Sequence, residues 1–529
     1  MSTAGVGMTF IIEPDSATKI AKMQQRVRWR DRLISQKNID QTTLVLDDDV
    51  ADSPDFSFMV IGDTGSGYHR GHNPQRKIAE QMLPHRQDCR FVLHTGDVIY
   101  LVGSSEYYPK NFIHPYREFL VGGDRPSRIN YDQMTFNQPF LPTPGNHDYY
   151  DMPWWSGAIA QVASPFRYLV RNRLALDVGW HGSGQGNAYA QAFLDYLKRF
   201  LTDAELERHL DQHYTAKTNT GRCLRYRPGE FTRLPNRYYT FRAGGIDFFA
   251  LDSNTFNAPL PLPDNLAGEE ARQALHQKRD ELEQEQRSLL EEADRLDSKQ
   301  PEQPEQEEQW NDIQAKVEQL AELIRDITKQ LSVDETSFSD REQLEWLEQR
   351  LIESWNTESV RGRILYFHHP PYVTEATKWH QAQTLAIRYR LRQVLDAVAA
   401  SVGKARGDRP VVDLVINGHA HCLEHLRTAN TTHADANTNW IVCGGSGFSL
   451  RRQRLEGSDL LEGSEQPYPV AHSHLFIGRS GQGSQKRRPY SFIRIDVKDG
   501  YPPKFTVRPY IAEWYQRRWK EYAVEPFTL

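Results

Sequence analysis

Gly96-Asp97-Val98-Ile99-Tyr100 follows a short apolar run, Phe91 to Leu93, and places a phenol three residues after a carboxylate. A short apolar run that ends at a glycine turn is typical of a buried strand in an α/β sheet. Runs of the same kind recur at Phe56 to Ile61, Ile246 to Leu251, Ile364 to Phe367 and Val411 to Ile416. The pattern therefore predicts an α/β fold built on buried strands.

Turns rich in aspartate or histidine follow all of these runs except Ile246 to Leu251. Five short boxes occur in order: Gly62-Asp63-Thr64-Gly65, Gly96-Asp97-Val98-Ile99-Tyr100, Gly145-Asn146-His147-Asp148, His368-His369-Pro370-Pro371-Tyr372 and Gly418-His419-Ala420-His421. Open α/β sheets place their sites outside the carboxyl ends of the strands, so we expect these side chains to meet.

The donor types in the boxes fit a pair of metal ions. Two ions held roughly 3.5 to 4 Å apart need a bridging carboxylate together with oxygen and imidazole donors. The sequence supplies that mixture in Asp63, Asp97, Asn146, His368, His419 and His421. Any one box alone is a weak signal, but all five in order predict a two-metal site.

The boxes resemble those of the calcineurin-like metallophosphoesterases and, more narrowly, of the small, single-domain purple acid phosphatases. That pattern is Gly-Asp-x-Gly, Gly-Asp-x-x-Tyr, Gly-Asn-His-Asp/Glu, a His before x-Pro, and Gly-His-x-His. The discriminating features are Asp63-Thr64-Gly65, where most of the wider superfamily has Asp-x-His, and the added Tyr100. The resemblance implies a four-layer α/β/β/α metallophosphoesterase sandwich.

The resemblance also implies a role for each donor. A ferric ion would take Asp63, Tyr100 and His421, and a divalent ion, iron(II), zinc(II) or manganese(II), would take Asn146, His368 and His419. Asp97 would bridge the two ions. A phenolate is a hard anionic donor that suits a trivalent ion. His147 would contact the substrate phosphate and protonate the leaving group, Asp148 would orient a neighbour, and His369 would face the substrate or support a ligand.

The implied reaction is hydrolysis of a phosphate monoester in which a metal-activated hydroxide attacks phosphorus. A phosphodiesterase or nucleotidase could use the same centre, so both stay open as alternatives. A third alternative, from another class, is a scaffold that acts through an inserted helical hairpin.

Composition along the chain predicts the domain organisation. Residues 1–52 are assigned to an N-terminal arm whose segment 16–36 has the pattern of one amphipathic, basic helix, and residues 53–529 to the metallophosphoesterase domain. An insertion at about 150–235 is the natural source of a lid or wall for the active site, with a plain packing role as the alternative. A second insertion, 264–333, predicts an antiparallel, coiled-coil-like helical hairpin. Its leucines recur at seven-residue spacing, and Pro301-Glu302-Gln303-Pro304 interrupts it. The hairpin could be a solvated spacer that packs only on itself, or it could bind a partner or mediate self-association.

The overall charge and the cysteines limit the partners and the cellular compartment that we expect. The 529 residues carry a net charge of -6, so no nucleic-acid partner is expected and a small phosphorylated substrate must be held locally. The four cysteines lie far apart in sequence, which favours a reducing compartment. We read no signal peptide and no transmembrane segment, and therefore expect no membrane partner and a cytoplasmic location, with a periplasmic one still open.

Two further polar clusters have an open interpretation. Five arginines between Arg222 and Arg237 could recognise phosphate or form surface ion pairs. His472 and His474 could form a second metal pair, although spacing alone is a weak indication.

Overall fold

The strands of the chain form two sheets. The computed structural model describes residues 11–65, 72–152, 182–297, 304–334, 339–463 and 466–529. The strands are β1 (Ile39–Leu46), β2 (Phe56–Ile61), β3 (Phe91–His94), β4 (Phe140–Pro142), β5 (Ala216–Thr218), β6 (Gly221–Tyr226), β7 (Tyr239–Ala243), β8 (Ile246–Ala250), β9 (Gly362–Tyr366), β10 (Leu414–Asn417), β11 (Leu423–Thr428), β12 (Asn439–Cys443), β13 (Asp459–Glu462), β14 (Tyr468–Ile477), β15 (Arg487–Lys498), β16 (Lys504–Tyr515), β17 (Arg518–Ala523) and β18 (Phe527–Thr528).

Helices surround these sheets. They are α1 (Ser16–Arg26), α2 (Arg32–Gln36), α3 (Pro74–Met82), α4 (Asn187–Phe193), α5 (Asp203–His213), α6 (Leu266–Asp297), α7 (Pro304–Ser332), α8 (Arg341–Trp355) and α9 (Ala382–Val402). The mixed α/β class predicted from the sequence is confirmed.

Each of the two sheets contains a set of adjacent parallel strands. The larger sheet has the order β13-β14-β11-β12-β10-β9-β8-β7-β1-β6-β5, and the smaller has β17-β16-β15-β2-β3-β4, with β18 paired to β16. Strands β8, β9, β10 and β12 are parallel in the larger sheet, and β2, β3 and β4 are parallel in the smaller one. Within each parallel set, the carboxyl ends of the strands therefore lie at one edge.

The main core lies between the sheets. Phe248 of β8 packs edge-on against Phe91 of β3, with ring centroids 5.3 Å apart. Its neighbour Phe249 points to the opposite face, where it packs against Trp346 of α8. This alternation is expected of a strand covered on both faces. Helices α8 and α9 thus cover the outer face of the larger sheet, and α3 contacts β15 and β16 of the smaller one.

The N-terminal segment differs from the predicted arm in two ways. The single helix expected over 16–36 is wrong, because the chain breaks into α1 and α2 where Arg28 and Arg30 adopt left-handed backbone conformations, with φ of 47° and 55°. Strand β1 then pairs with β6 and β7 in the larger sheet, and its Leu44 and Leu46 are buried. This segment is therefore an integral part of the sheet.

Helices α6 and α7 pack against each other along their length. Leu282 of α6 forms an apolar cluster with Leu320 and Ile327 of α7. Gln286 donates to the Val317 carbonyl at 3.3 Å, and Gln309 donates to Glu292 at 3.0 Å, so residues further along α6 meet residues earlier in α7. The predicted Pro301 breaker lies outside the described residues, and self-association through this pair stays a prediction.

The insertion at 150–235 is described in part. Residues 153–181 lie outside the described residues, and the remainder contributes α4, α5, β5 and β6. Within the described ranges, no helix combines the length and the apolar character that crossing a bilayer requires.

Candidate metal centre

The five predicted boxes meet where the two sheets end. Asp63, Asp97 and Asn146 follow β2, β3 and β4 of the smaller sheet, whereas His368 and His419 follow β9 and β10 of the larger one. All of these side chains are buried, as are Tyr100 and His421. Each sheet thus delivers its donors from adjacent parallel strands, and the site lies between the two sets.

The backbone at the site is strained to bring the donors together. Asp63, Asp97, His419 and His421 all have positive φ, with values of 55°, 56°, 68° and 48°. Such conformations cost about 1 to 3 kcal/mol each in a residue with a side chain, and they cluster at functional sites. Gly145 is required for a different reason, since a Cβ there would lie 2.1 Å from Oδ1 of Asp97.

One set of donors surrounds the Tyr100 phenol. Its oxygen lies 2.8 Å from Oδ1 of Asp63 and 3.2 Å from Nε2 of His421. The opposite ring nitrogen of His421, Nδ1, lies 3.1 Å from the Ser449 carbonyl. A carbonyl can only accept, so Nδ1 carries the proton and Nε2 presents a lone pair to the other donors.

A second set lies beside it. Nε2 of His368 lies 2.9 Å from Oδ1 of Asn146 and 3.2 Å from Nδ1 of His419. His368 is oriented in the same way as His421, since its Nδ1 donates to the Thr95 carbonyl at 2.9 Å. Oδ2 of Asp97 joins the two sets, because it lies 2.6 Å from the Tyr100 oxygen and 3.2 Å from Nε2 of His368.

The pKa shifts of Asp63 and His368 show where the site favours positive charge. Burial raises the pKa of Asp63 to about 7, and the nearby Asp97 carboxylate adds to the shift. Burial alone would lower the pKa of His368, but the charge of Asp97 outweighs it and raises that pKa to about 9. The Asp97 carboxylate therefore stabilises positive charge at His368 in the metal-free protein.

The remaining donors have the form that metal ligation requires. Burial and the cation of Lys378 hold the pKa of His419 well below its usual range, and burial and Arg451 do the same for His421. Both imidazoles are therefore neutral, which leaves a lone pair on each ring. Burial and the two adjacent carboxylates hold the pKa of Tyr100 well above its usual range, so only a strongly charged ion would convert it to a phenolate. The donor set fits two metal ions.

A comparison with protein families matches part of the chain. Residues 56–271 match the family model described as calcineurin-like phosphoesterase, a range that includes the first three boxes. Over this range the chain is similar to the calcineurin-like phosphoesterases. The fourth and fifth boxes lie beyond the matched range and complete the donor set in space.

Solved structures share 12% sequence identity with the chain. They include a purple acid phosphatase from yellow lupin (Lupinus luteus) seeds, with a TM-score of 0.39 over 90% of this chain. PhoD has a TM-score of 0.39 over 90% of this chain. GAP50, described as the anchor in the inner membrane complex of Plasmodium, has a TM-score of 0.36 over 89% of this chain. The chain spans 54%, 70% and 88% of their respective lengths. It thus covers about half of the lupin protein. A comparison with curated proteins found no match.

Three further residues predicted from the sequence border the donors. His147 has its ring centroid 4.1 Å from that of Tyr100, and its Nδ1 donates to the Leu101 carbonyl at 2.6 Å. Asp148 accepts from the backbone N–H groups of Val98 and Gly145 and thereby fixes two of the boxes relative to each other.

The two ring nitrogens of His369 have different surroundings. Its Nδ1 lies 2.8 Å from the Ser253 hydroxyl, while its Nε2 is buried without a hydrogen-bond partner among the described residues. His369 also forms, with His368 and His419, one of the groups whose donor atoms are close enough to hold a single ion. The other such group found in the described ranges is Asp63, Asp97 and His368.

Several residues at the site were missed from the sequence. Lys378 lies on the loop after the fourth box with its Nζ 2.9 Å from Nε2 of His419. Glu322 and Arg325 reach the site from α7, where Glu322 lies 3.3 Å from Nε2 of His419 and the Arg325 guanidinium lies 5.2 Å from the Tyr150 ring centroid. No box marks these positions. The spacing of the apolar residues in α7 predicted the helix but not which polar face would meet the site.

The arginines between Arg222 and Arg237, and His472, form contacts with neighbouring residues. Arg237 is buried between Asp252 and Asp340, Arg225 and Arg227 both pair with Asp47, Arg222 pairs with Asp211, and Arg233 donates to backbone carbonyls. These arginines form ion pairs and structural hydrogen bonds. His472 pairs with Asp459 on the surface.

Proposed function

We propose that this protein hydrolyses phosphate monoesters at a binuclear centre of one ferric and one divalent ion. The position of Asp97 carries the proposal. Its Oδ2 lies within 3.2 Å of a donor in each set, which is the position that a bridging carboxylate requires. The ferric ion would take Asp63, Tyr100 and His421, and the divalent ion, iron(II), zinc(II) or manganese(II), would take Asn146, His368 and His419.

The bound ions would neutralise the phosphoryl oxygens and activate water, which makes a serine or cysteine nucleophile unnecessary. The chain's own residues would orient the ester. His147 holds its Nδ1–H on the Leu101 carbonyl, so its Nε2 is the nitrogen available to donate to the leaving oxygen. His369 has an unpartnered Nε2 beside the same donors, which supports a role in substrate binding.

The distinguishing experiment is turnover of a phosphate monoester and of a diester by protein loaded with iron and zinc. A phosphomonoesterase should give a kcat/KM for the monoester well above that for the diester. A preference for the diester would support the alternative phosphodiesterase. Asp97→Asn is the control for activity from contaminants, because it removes the bridging charge and should lower turnover of either ester by about 10³-fold.

A scaffold function would give a different outcome. In that case protein with two bound ions per chain would hydrolyse neither ester, nor a nucleotide. The proposal is then wrong even though the metal centre exists.

A further inference from the structure

Helix α7 of the inserted pair is fixed against the catalytic domain at several points. Asp326 accepts from the backbone N–H groups of Ala382 and Gln383, at 2.8 Å and 3.1 Å, and so caps the start of α9 from outside. Three residues later, Lys329 donates to Glu13 at 2.8 Å and to Asn257 at 2.9 Å. At the other end, Arg451 donates to the Ala315 carbonyl at 2.7 Å. These contacts set the rotation of α7 and direct one face of it to the metal centre.

Glu322 projects from that face. Its Oε1 lies 3.3 Å from Nε2 of His419 and also pairs with the ammonium group of Lys378. The side chains of Glu322, Lys378 and His419 are 11%, 1% and 5% exposed, so the three groups interact with little competition from water. A carboxylate from an insertion thus touches a residue of the fifth box.

The two ring nitrogens of His419 face different surroundings. Nδ1 lies among the donors, 3.2 Å from Nε2 of His368, whereas Nε2 points outward to Glu322 and Lys378. Nδ1 can bind an ion only through a lone pair, so Nε2 must then carry the proton. An ammonium group cannot accept that proton's hydrogen bond. The Glu322 carboxylate is the acceptor in reach, because its Oε1 is buried 3.3 Å from Nε2 and, apart from its ion pair with Lys378, has no hydrogen-bond partner among the described residues.

The other two histidine ligands show the same arrangement with different partners. His368 and His421 each direct the nitrogen that faces away from the donors to a backbone carbonyl, of Thr95 and Ser449 respectively. His419 has Glu322 in the corresponding place. Lys378, whose Nζ already lies 2.9 Å from Nε2, competes for that nitrogen by donating to it, which favours the tautomer whose Nδ1 is protonated and cannot ligate. The Glu322 carboxylate, which pairs with Lys378, offsets that preference.

We propose that Glu322 is a positioning residue that orients His419 and fixes its tautomer, so that the inserted helix pair completes the metal centre. This inference rests on the proposed function, because it takes His419 to be a ligand of one of two ions. It assigns the insertion a part in metal binding that neither a spacer nor a self-association element would have.

The test is a zinc(II) titration of the metal-free full chain against a chromophoric chelator, which measures both dissociation constants. Glu322→Leu removes the acceptor and should weaken one zinc site about 10- to 100-fold while leaving the other unchanged. Glu322→Gln keeps an oxygen that accepts from Nε2 but does not neutralise Lys378. The dissociation constant of its weakened zinc site should therefore lie between those of Glu322→Leu and the natural chain.

Glu318→Leu is the matched control. Glu318 lies one turn earlier on α7, and its carboxyl interacts with Arg451, Arg479 and Arg325. Both zinc constants should stay at their natural values in this variant, and circular dichroism of each variant checks that α7 remains folded. Unchanged constants in folded Glu322→Leu would overturn the inference and leave the metal centre intact. A natural chain that binds no zinc would instead overturn the proposed function. A loss of both sites, equal in the two leucine variants, would show that α7 acts only through packing.

Discussion

The phenolic oxygen of Tyr100 lies 2.6 Å from Oδ2 of Asp97, the carboxylate three residues before it. The second box therefore supplies two donors. Asp97 is the proposed bridge between the ions, and Tyr100 is the proposed ligand of only one of them. The two donors respond differently to charge. His368 and His147 hold the pKa of Asp97 below its usual range despite burial, whereas the pKa of Tyr100 is raised. We therefore expect Asp97 to accept a cation of either charge and Tyr100 to favour one of high charge.

Replacement of Tyr100 tests that selection. Iron-loaded protein should absorb in the visible through a ferric phenolate, and Tyr100→Phe should abolish the band because no phenol remains at the ion. The measurement is a visible spectrum together with iron analysis. Tyr150→Phe is the matched control, since Tyr150 is also buried and packs against His147, 4.8 Å between ring centroids. Active protein that is colourless and free of iron would refute the phenolate ligand.

Loss of His147 should depend on the leaving group. His147→Gln is expected to lower kcat for an alkyl phosphate by about 10²- to 10⁴-fold, because an alkoxide needs a proton as it departs. The effect should be much smaller for a nitrophenyl phosphate, whose leaving group is stable as an anion. His213→Gln is the control, because that histidine stacks on Phe231 away from the metal centre. Equal losses with both esters would argue against proton donation and for substrate binding alone.

The metal donors could be predicted from sequence because they follow strand ends. Four of the five boxes come after a short apolar run, the third follows the short strand β4, and parallel strands deliver such residues to one edge regardless of how far apart they are in the chain. Glu322 and Lys378 could not be predicted in this way. They meet His419 only because α7 docks on the loop after the fourth box, and docking depends on scattered contacts such as that of Asp326 with α9.

The strand β1 was missed for a related reason. Its sequence, Ile39–Leu46, is short and largely polar at its start, and it becomes a strand because the larger sheet offers β6 and β7 as neighbours. Tertiary context of this kind outweighs local propensity. The helix break at Arg28 and Arg30 could likewise not be predicted, because the amphipathic pattern of the sequence continues through it.

Docking of α7 should depend on Asp326. Asp326→Ala removes the acceptor for two backbone N–H groups at the start of α9, and a lost helix cap typically costs about 0.5 to 2 kcal/mol. We expect a lower midpoint in urea denaturation and faster hydrogen exchange at Ala382 and Gln383. Asp280→Ala, on the exposed surface of α6, should change neither measurement. Unaltered exchange at the start of α9 in Asp326→Ala would contradict the capping role.

Glu424 should make the protein less stable as the pH rises. This glutamate of β11 is fully buried and accepts from the backbone N–H and the hydroxyl of Thr374, and burial raises its pKa to about 7. The pKa is thus higher in the folded than in the unfolded chain. Its contribution to stability is fully present below about pH 4.5 and is lost as the pH rises through about 7.

Glu424→Gln keeps the side chain neutral at every pH. Denaturation should therefore show little difference from the natural chain at pH 4.5 and a more stable variant at pH 8, by about 3 kcal/mol at most. Glu205→Gln is the control of opposite sign. The pKa of Glu205 is lowered by its hydrogen bonds with Thr202 at the start of α5, so that variant should be the less stable one at pH 8. A pH-independent difference in Glu424→Gln would show that Glu424 contributes through packing and not through its ionisation.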